Sequence, residues 1–168
     1  MRVFIRPPVE SDIPALLDLH CRSRSFHAPW SFPALTQEGC QAYVQRCQAD
    51  NFQGLLICQQ DSGSIIGVAN LSQIFYGAFQ NAYLGYYADV TYAGLGLMGE
   101  GMGLVINYAF STLTLHRIEA NIQPGNTRSI KLVKRLGFRQ EGYSPRYLKI
   151  DGEWRDHERW ALTTEDCV

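Results

Sequence analysis

Between Tyr83 and Gly142 the chain strings together elements that few folds accept in that order. An apolar strand, Tyr83–Val90, runs into the turn Gly94-Leu95-Gly96-Leu97-Met98-Gly99, which opens a helix over residues 97–113. A second strand, Leu115–Ile122, leads through Pro124-Gly125-Asn126-Thr127-Arg128-Ser129 into another helix that ends at Leu136-Gly137-Phe138. A glycine turn at the start of a helix exposes bare backbone N–H groups, and the helix dipole favours negative charge there. The turn is therefore expected to hold the phosphates of a cofactor.

The turn fits G-x-G-x-x-G, and an acidic residue, Glu119, follows at the spacing of a dinucleotide-binding fingerprint. Its position speaks against that reading. The fingerprint belongs in the first βαβ unit, whereas four strands and two helices precede it here. Only residues 120–168 follow Glu119, too few for a second nucleotide half. The flanking hairpins are antiparallel, and that fold needs successive crossovers. A turn made only for tightness is the other alternative. Against it, Gly99, Gly101 and Gly103 continue into the helix, each costing about 0.8–1.0 kcal/mol relative to alanine. Gly99 and Gly103 fall on one helical face, as close approach of a backbone or ligand would require. Met98, Met102, Val105, Ile106 and Ala109 form the apolar stripe toward the sheet.

The remaining elements follow from local signals. Val3–Arg6 reads as a strand closed by Pro7-Pro8, and Ser11-Asp12 as the cap of a helix over residues 13–24. His27–Pro33 holds two prolines and reads as a loop. Thr36 opens a second helix that runs to about Ala49. Strands over 52–60 and 64–75 join through Asp61-Ser62-Gly63, and a strand over 82–90 follows. Strands over 139–151 and 153–162 join through Asp151-Gly152, a strong hairpin signal. The order β α α β β β α β α β β implies an α/β (α+β) domain: a mixed, mostly antiparallel sheet of about seven strands with about four helices.

With 168 residues and a net charge of −1, the chain suits a single domain and shows no basic bias toward nucleic acid. Cys21, Cys40, Cys47, Cys58 and Cys167 are odd in number and lack metal-ligand spacing. They are expected to be reduced thiols of a cytoplasmic protein, with no metal. The first residues, MRVFIRPP, do not read as a signal peptide, and no apolar run reaches the ~18–20 residues of a membrane span.

Seven pieces in order now acquire a common meaning: Gly94-x-Gly96-Leu97-Met98, Leu115–Asn121, Pro124-x-Asn126-x-Arg128-Ser129, Leu136-Gly137-Phe138, Glu141-Gly142-Tyr143, Tyr147-Leu148 and Gly152-x-Trp154-x-Asp156-His157. Together they resemble the GCN5-related N-acetyltransferases (GNAT), and within them the ribosomal-protein-alanine N-acetyltransferases of the RimJ/RimL type, RimJ being the nearer. The resemblance covers nearly the whole chain as one acetyltransferase domain. It implies acetyl-CoA as cofactor and direct transfer of acetyl to a primary amine in a ternary complex. The acceptor it points to is the N-terminal α-amine of a protein. A small amine such as a polyamine or aminoglycoside is one alternative, and a CoA-binding module without turnover is another. No nucleic-acid or membrane partner is implied. The sequence does not distinguish a monomer from a homodimer.

By the same resemblance, the N–H groups of Gly94, Leu95, Gly96, Leu97, Met98 and Gly99 hold the pyrophosphate, and the pantetheine arm adds beside Ala88, Asp89 and Val90. Asn126 contacts that arm and as N-cap accepts from the Ser129 N–H; Ser129 assists the departing thiolate, with Tyr143 or Tyr147 as fallback. An N–H near Tyr87 is the expected oxyanion donor. His27, Trp30, Tyr76, Tyr143 and Tyr147 are the foremost acceptor-binding candidates, among loop aromatics and arginines that also include Arg22, Phe32, Phe79, Arg146 and Trp154. Two positions depart from the family pattern. Ala93 stands where the phosphate motif usually begins with Gln or Arg, and Leu148 stands where RimL-type relatives place a glutamate base. Glu100, Glu119, His116 and Asp89 are the remaining candidates for a base.

Overall fold

The computed structural model describes residues 1–167. Strands β1 (Val3–Arg6), β2 (Phe52–Gln59), β3 (Ile65–Phe75), β4 (Asn81–Ala88), β5 (Arg117–Ile122), β6 (Arg139–Ile150) and β7 (Glu153–Thr163) form one sheet in the order β1-β2-β3-β4-β5-β7-β6. All neighbours are antiparallel except β4 and β5. That parallel step needs a crossover, which the glycine turn and its helix supply.

The helices are α1 (Ile13–Arg22), α2 (Arg24–His27), α3 (Gln37–Arg46), α4 (Leu97–Asn107) and α5 (Thr127–Arg135). Side chains alternate across the sheet, and each face buries its own cluster. Leu55 and Ile57 of β2 pack with Met102 and Val105 of α4 and with Leu132 and Val133 of α5. Leu56 and Cys58 pack with Leu16 and Leu19 of α1 and with Val44 of α3. At Gly101 a Cβ would stand 2.3 Å from Ile57 Cγ2, so this glycine sets how closely α4 lies on the sheet. Gly103 plays no such part, because a Cβ there would meet nothing within 4 Å.

Several local expectations are corrected. Asp12 does not cap α1: its carboxylate accepts from the Val9 N–H at 2.8 Å and from both Arg6 terminal nitrogens at 2.7 Å. The first helix breaks at Ser23, whose hydroxyl accepts from the Val90 N–H at 3.0 Å, and one further turn, α2, follows. The described residues thus hold five α-helices, where about four were expected. The α4 helix ends at Asn107, and residues Tyr108–Thr112 form a wider π turn. Thr36, Asn126 and Gly137 behave as their types dictate. The Thr36 hydroxyl accepts from Gly39 N–H, the Asn126 side chain accepts from Ser129 N–H, and Gly137 takes φ +89° past the end of α5.

Only Asn81, Ala82 and Tyr83 of β4 pair with β5. Beyond them β4 stays with β3 to Ala88, and β5 stays with β7 to Ile122. Each strand keeps its outer partner while the inner ladder parts, and this leaves a wedge in the sheet.

Candidate active site

The wedge opens into a cleft of about 800 Å³, within the range typical of small-molecule sites. Ladder geometry says which groups of β4 face it. The Asp89 N–H donates to the Ile66 carbonyl at 2.9 Å, so alternate residues Tyr87 and Gly85 also spend their backbone groups on β3. Leu84, Tyr86 and Ala88 therefore turn theirs toward the wedge, where β5 no longer pairs with them. This is an open strand edge inside the molecule, the template on which an extended amide chain adds. His27 covers one of its acceptors, with Nε2 donating to the Ala88 carbonyl at 2.7 Å.

Of the three residues expected along the pantetheine arm, only Ala88 lies on this edge. The Asp89 carbonyl accepts from the Tyr92 N–H, and its carboxylate is buried against Arg22 and the Thr91 N–H. The Val90 N–H is held by Ser23. Of the N–H groups near Tyr87, its own belongs to the β3 ladder and that of Tyr86 faces the wedge.

At the narrow end of the cleft, Gly94 and Gly96 both take positive φ, +80° and +78°, which lets the chain enter α4 from a left-handed conformation. Among the described residues, none of the N–H groups of Gly94 to Gly99 finds an acceptor. Gly94, Gly96, Met98 and Gly99 line the cleft, whereas the Leu95 side chain is exposed and Leu97 is buried in the core. Arg2 pins the turn from outside: its Nη2 donates to the Leu95 carbonyl at 3.3 Å, and it pairs with Glu100. Among the described residues the cleft wall also carries Arg128 and Arg135, and no carboxylate. Six unpartnered N–H groups and two cations with no carboxylate suit a polyanion, and the residues present thus fit a coenzyme A pyrophosphate.

On the α5 side of the wedge, the Asn126 side chain and Ser129 stand together. Ser129 Oγ lies 2.6 Å from Tyr86 Oη. Burial pushes the Tyr86 phenol up to about 12, the hydrogen bond to Ser129 pulling the other way. Either oxygen of this pair can be the donor, and Tyr86 Oη also donates to the Ser129 carbonyl at 3.4 Å. Tyr86 did not stand out in the sequence, being one aromatic of an apolar strand. Tyr143 and Tyr147 do not take its place: Tyr143 Oη donates to Asp156 at 2.7 Å, and Tyr147 packs against the His157 ring.

On the α1 and α2 side, His27 and Trp30 line the cleft as expected. Trp30 reaches across to the turn after β5, where a Cβ on Gly125 would stand 3.0 Å from its ring, and Arg128 stacks over Phe26 at 4.4 Å. These two contacts roof the wedge. Tyr76 is not part of the cleft wall. It precedes β4, at the end where β4 and β5 are still paired, and Phe79 shares that loop. Arg22 is occupied by Asp89, and Phe32, Arg146 and Trp154 also lie off the cleft wall. None of the four candidate bases lines the cleft. Glu100 pairs with Arg2, Glu119 with Arg117, Asp89 with Arg22 and His116 with Glu165.

Comparison with known proteins agrees with this geometry. The acetyltransferase (GNAT) domain model matches residues 2–139. The [ribosomal protein uS5]-alanine N-acetyltransferase of Escherichia coli is 39% identical over 98% of this chain and 89% of that protein. Among solved structures, Mycobacterium smegmatis RimJ in complex with CoA-disulfide superposes with a TM-score of 0.90 at 27% identity, covering 98% of this chain and 83% of that one. The ribosomal-protein-S5-alanine acetyltransferase of Vibrio fischeri gives 0.86 at 28% identity, covering 99% and 95%. The chain belongs to the GNAT family of acetyl-CoA-dependent acetyltransferases.

Proposed function

We propose that this chain is a single acetyltransferase domain that acetylates the N-terminal α-amine of a ribosomal protein beginning with alanine, in the cytoplasm. The observation that carries the reading is the open β4 edge, which runs from the unpartnered N–H groups of the glycine turn to the Tyr86–Ser129 pair. Its relatives' ribosomal alanine acceptors support the choice of amine. So does the cleft wall, which offers no carboxylate to a polyamine's several charges.

Acetyl-CoA, when bound, supplies an acetyl thioester as acyl donor and a thiolate as leaving group. The chain's own residues bind, orient and stabilise. The turn Gly94–Gly99 and the start of α4 hold the pyrophosphate. Leu84, Tyr86 and Ala88 offer the arm a strand edge, and this fixes how far the thioester reaches into the wedge. The Tyr86 N–H donates to the developing oxyanion. The Ser129 hydroxyl, aligned by Tyr86, donates a hydrogen bond to the sulfur. A protein α-amine has an ordinary pKa of about 7.7–8.0 against about 10.4 for lysine, so a useful fraction is neutral at pH 7.

Steady-state turnover of an alanine-initiated peptide carrying the uS5 N-terminal sequence, beside spermidine, tests the acceptor. Acetylation of the peptide at least tenfold faster than spermidine is expected. Faster acetylation of spermidine would reject the reading.

A further inference from the structure

The four histidines differ in what their second nitrogen does. A carbonyl only accepts, so the contact each ring makes with one fixes its tautomer. His20 donates from Nδ1 to the Ala34 carbonyl, and its Nε2 accepts from the Tyr87 hydroxyl. His27 donates from Nε2 to Ala88, and its Nδ1 is sealed inside without a partner. His116 is paired with Glu165. His157 donates from Nδ1 to the Arg155 carbonyl at 2.9 Å. Among the described residues its Nε2 has no partner, yet it is not sealed from solvent although the residue is only 3% exposed. His157 lines the cleft, so its free lone pair belongs to the cleft wall.

Two neighbours on the same face of the sheet complete a seat for an amine. Asn121 pairs in register with Arg159, and His157 lies two residues along β7 on the same face, opposite to that of Trp160 and Leu162. Asn121 lines the cleft beside His157, with Oδ1 sealed from solvent like His27 Nδ1. Gly85 shares that face of β4, and above it a Cβ would meet nothing within 4 Å. A side-chain-free gap in a central strand marks where another molecule approaches the backbone. Tyr86 and Ser129 act from the opposite face.

We propose that the acceptor amine sits over Gly85, donates to His157 Nε2, and loses its proton to His157. This rests on the acetyltransferase reading, not on the identity of the acceptor. As the nitrogen lone pair forms the C–N bond, one N–H proton passes to Nε2. The C–S bond breaks with its electron pair on sulfur, hydrogen-bonded by Ser129. The imidazolium returns its proton to water, from which the thiolate takes one.

Two measurements test this. In long-range 1H–15N spectra of the free protein, His157 is expected in the Nδ1–H tautomer; an Nε2–H ring overturns the proposal without any assay. The variants H157A and H157Q are then compared with wild type on the alanine-initiated peptide and on alaninamide. Both variants should bind acetyl-CoA within about twofold of wild type by calorimetry and lose ~10²-fold or more in kcat. Added imidazole should restore part of the H157A rate. A kcat within threefold of wild type, or a loss that imidazole does not rescue while H157Q stays active, overturns it. If wild type acetylates alaninamide but not the peptide, the ribosomal acceptor fails and the alaninamide rates decide for His157. If it acetylates neither, His157 has no proton to accept and this proposal falls too.

Discussion

At the scale of single residues, what matters is where a polar group's second hydrogen bond goes. Ser129 Oγ and Tyr86 Oη share one bond 2.6 Å long, in which either can donate. S129A should lower kcat by roughly 10-fold to 100-fold with acetyl-CoA affinity nearly unchanged. Y86F should do much the same, and the double variant little more, since the two act as a unit. Loss of cofactor affinity in S129A would instead give that hydroxyl a binding role. Gly101 carries the opposite kind of constraint. G101A should cost about 1–3 kcal/mol by pressing on Ile57, read as a lower urea midpoint at an unchanged slope. Sequence reasoning singled out Ser129, a residue of the cleft wall, because its hydroxyl follows a recognisable Pro-x-Asn-x-Arg segment. It passed over Tyr86 and gave His157 no role, because the neighbours that place each come from other elements, Ser129 from α5 and Asn121 and Gly85 from β5 and β4. Only the fold shows that Asp89, His116, Glu100 and Glu119 are already paired.

At the scale of elements, the sheet is divided by function. The α4 and α5 face carries the turn and the Ser129–Tyr86 pair, and the α1 and α2 face carries His27, Trp30, Gly85 and His157. A leucine at Gly85 should therefore fill acceptor space alone. G85L should raise the peptide KM more than tenfold while the acetyl-CoA Kd, by calorimetry, stays within about twofold; a larger loss of cofactor affinity would put the arm over that face. Elements with strong local codes were legible. The Asp61-Ser62-Gly63 and Asp151-Gly152 turns, the glycine turn into α4 and the Asn126 cap all lie where their residues dictate. The turn Arg24–His27 was not legible, because a chain that breaks at Ser23 does so for a contact with Val90, 67 positions away. Tyr76 was misassigned for a similar reason: a loop aromatic's place depends on which end of the sheet its loop closes.

At the scale of the whole molecule, the buried ionisable groups set how the fold responds to pH. Burial lowers the affinity of His20 and His27 for protons from the ordinary 6.5, partly offset by hydrogen bonds to carbonyls. The unfolded chain takes up protons on these rings where the folded chain does not, so stability falls as pH drops below about 6.5. Asp12 and Asp89 resist burial through Arg6 and Arg22 and are held below their ordinary 3.8. Their contribution is present above that value and is lost as pH falls through the lower folded range. The thermal midpoint should thus decline between pH 7 and 5.5 and more steeply below pH 4; a flat profile from 7 to 5.5 would contradict neutral buried rings.

The central claim is that this wedge delivers acetyl from acetyl-CoA to a protein's terminal nitrogen. The most direct measurement is fragmentation mass spectrometry of an alanine-initiated peptide that also holds an internal lysine, after incubation with the protein and acetyl-CoA. The expected product carries one acetyl group, on the α-nitrogen. Acetyl on the lysine, or none on the peptide while the protein still binds acetyl-CoA, would contradict it.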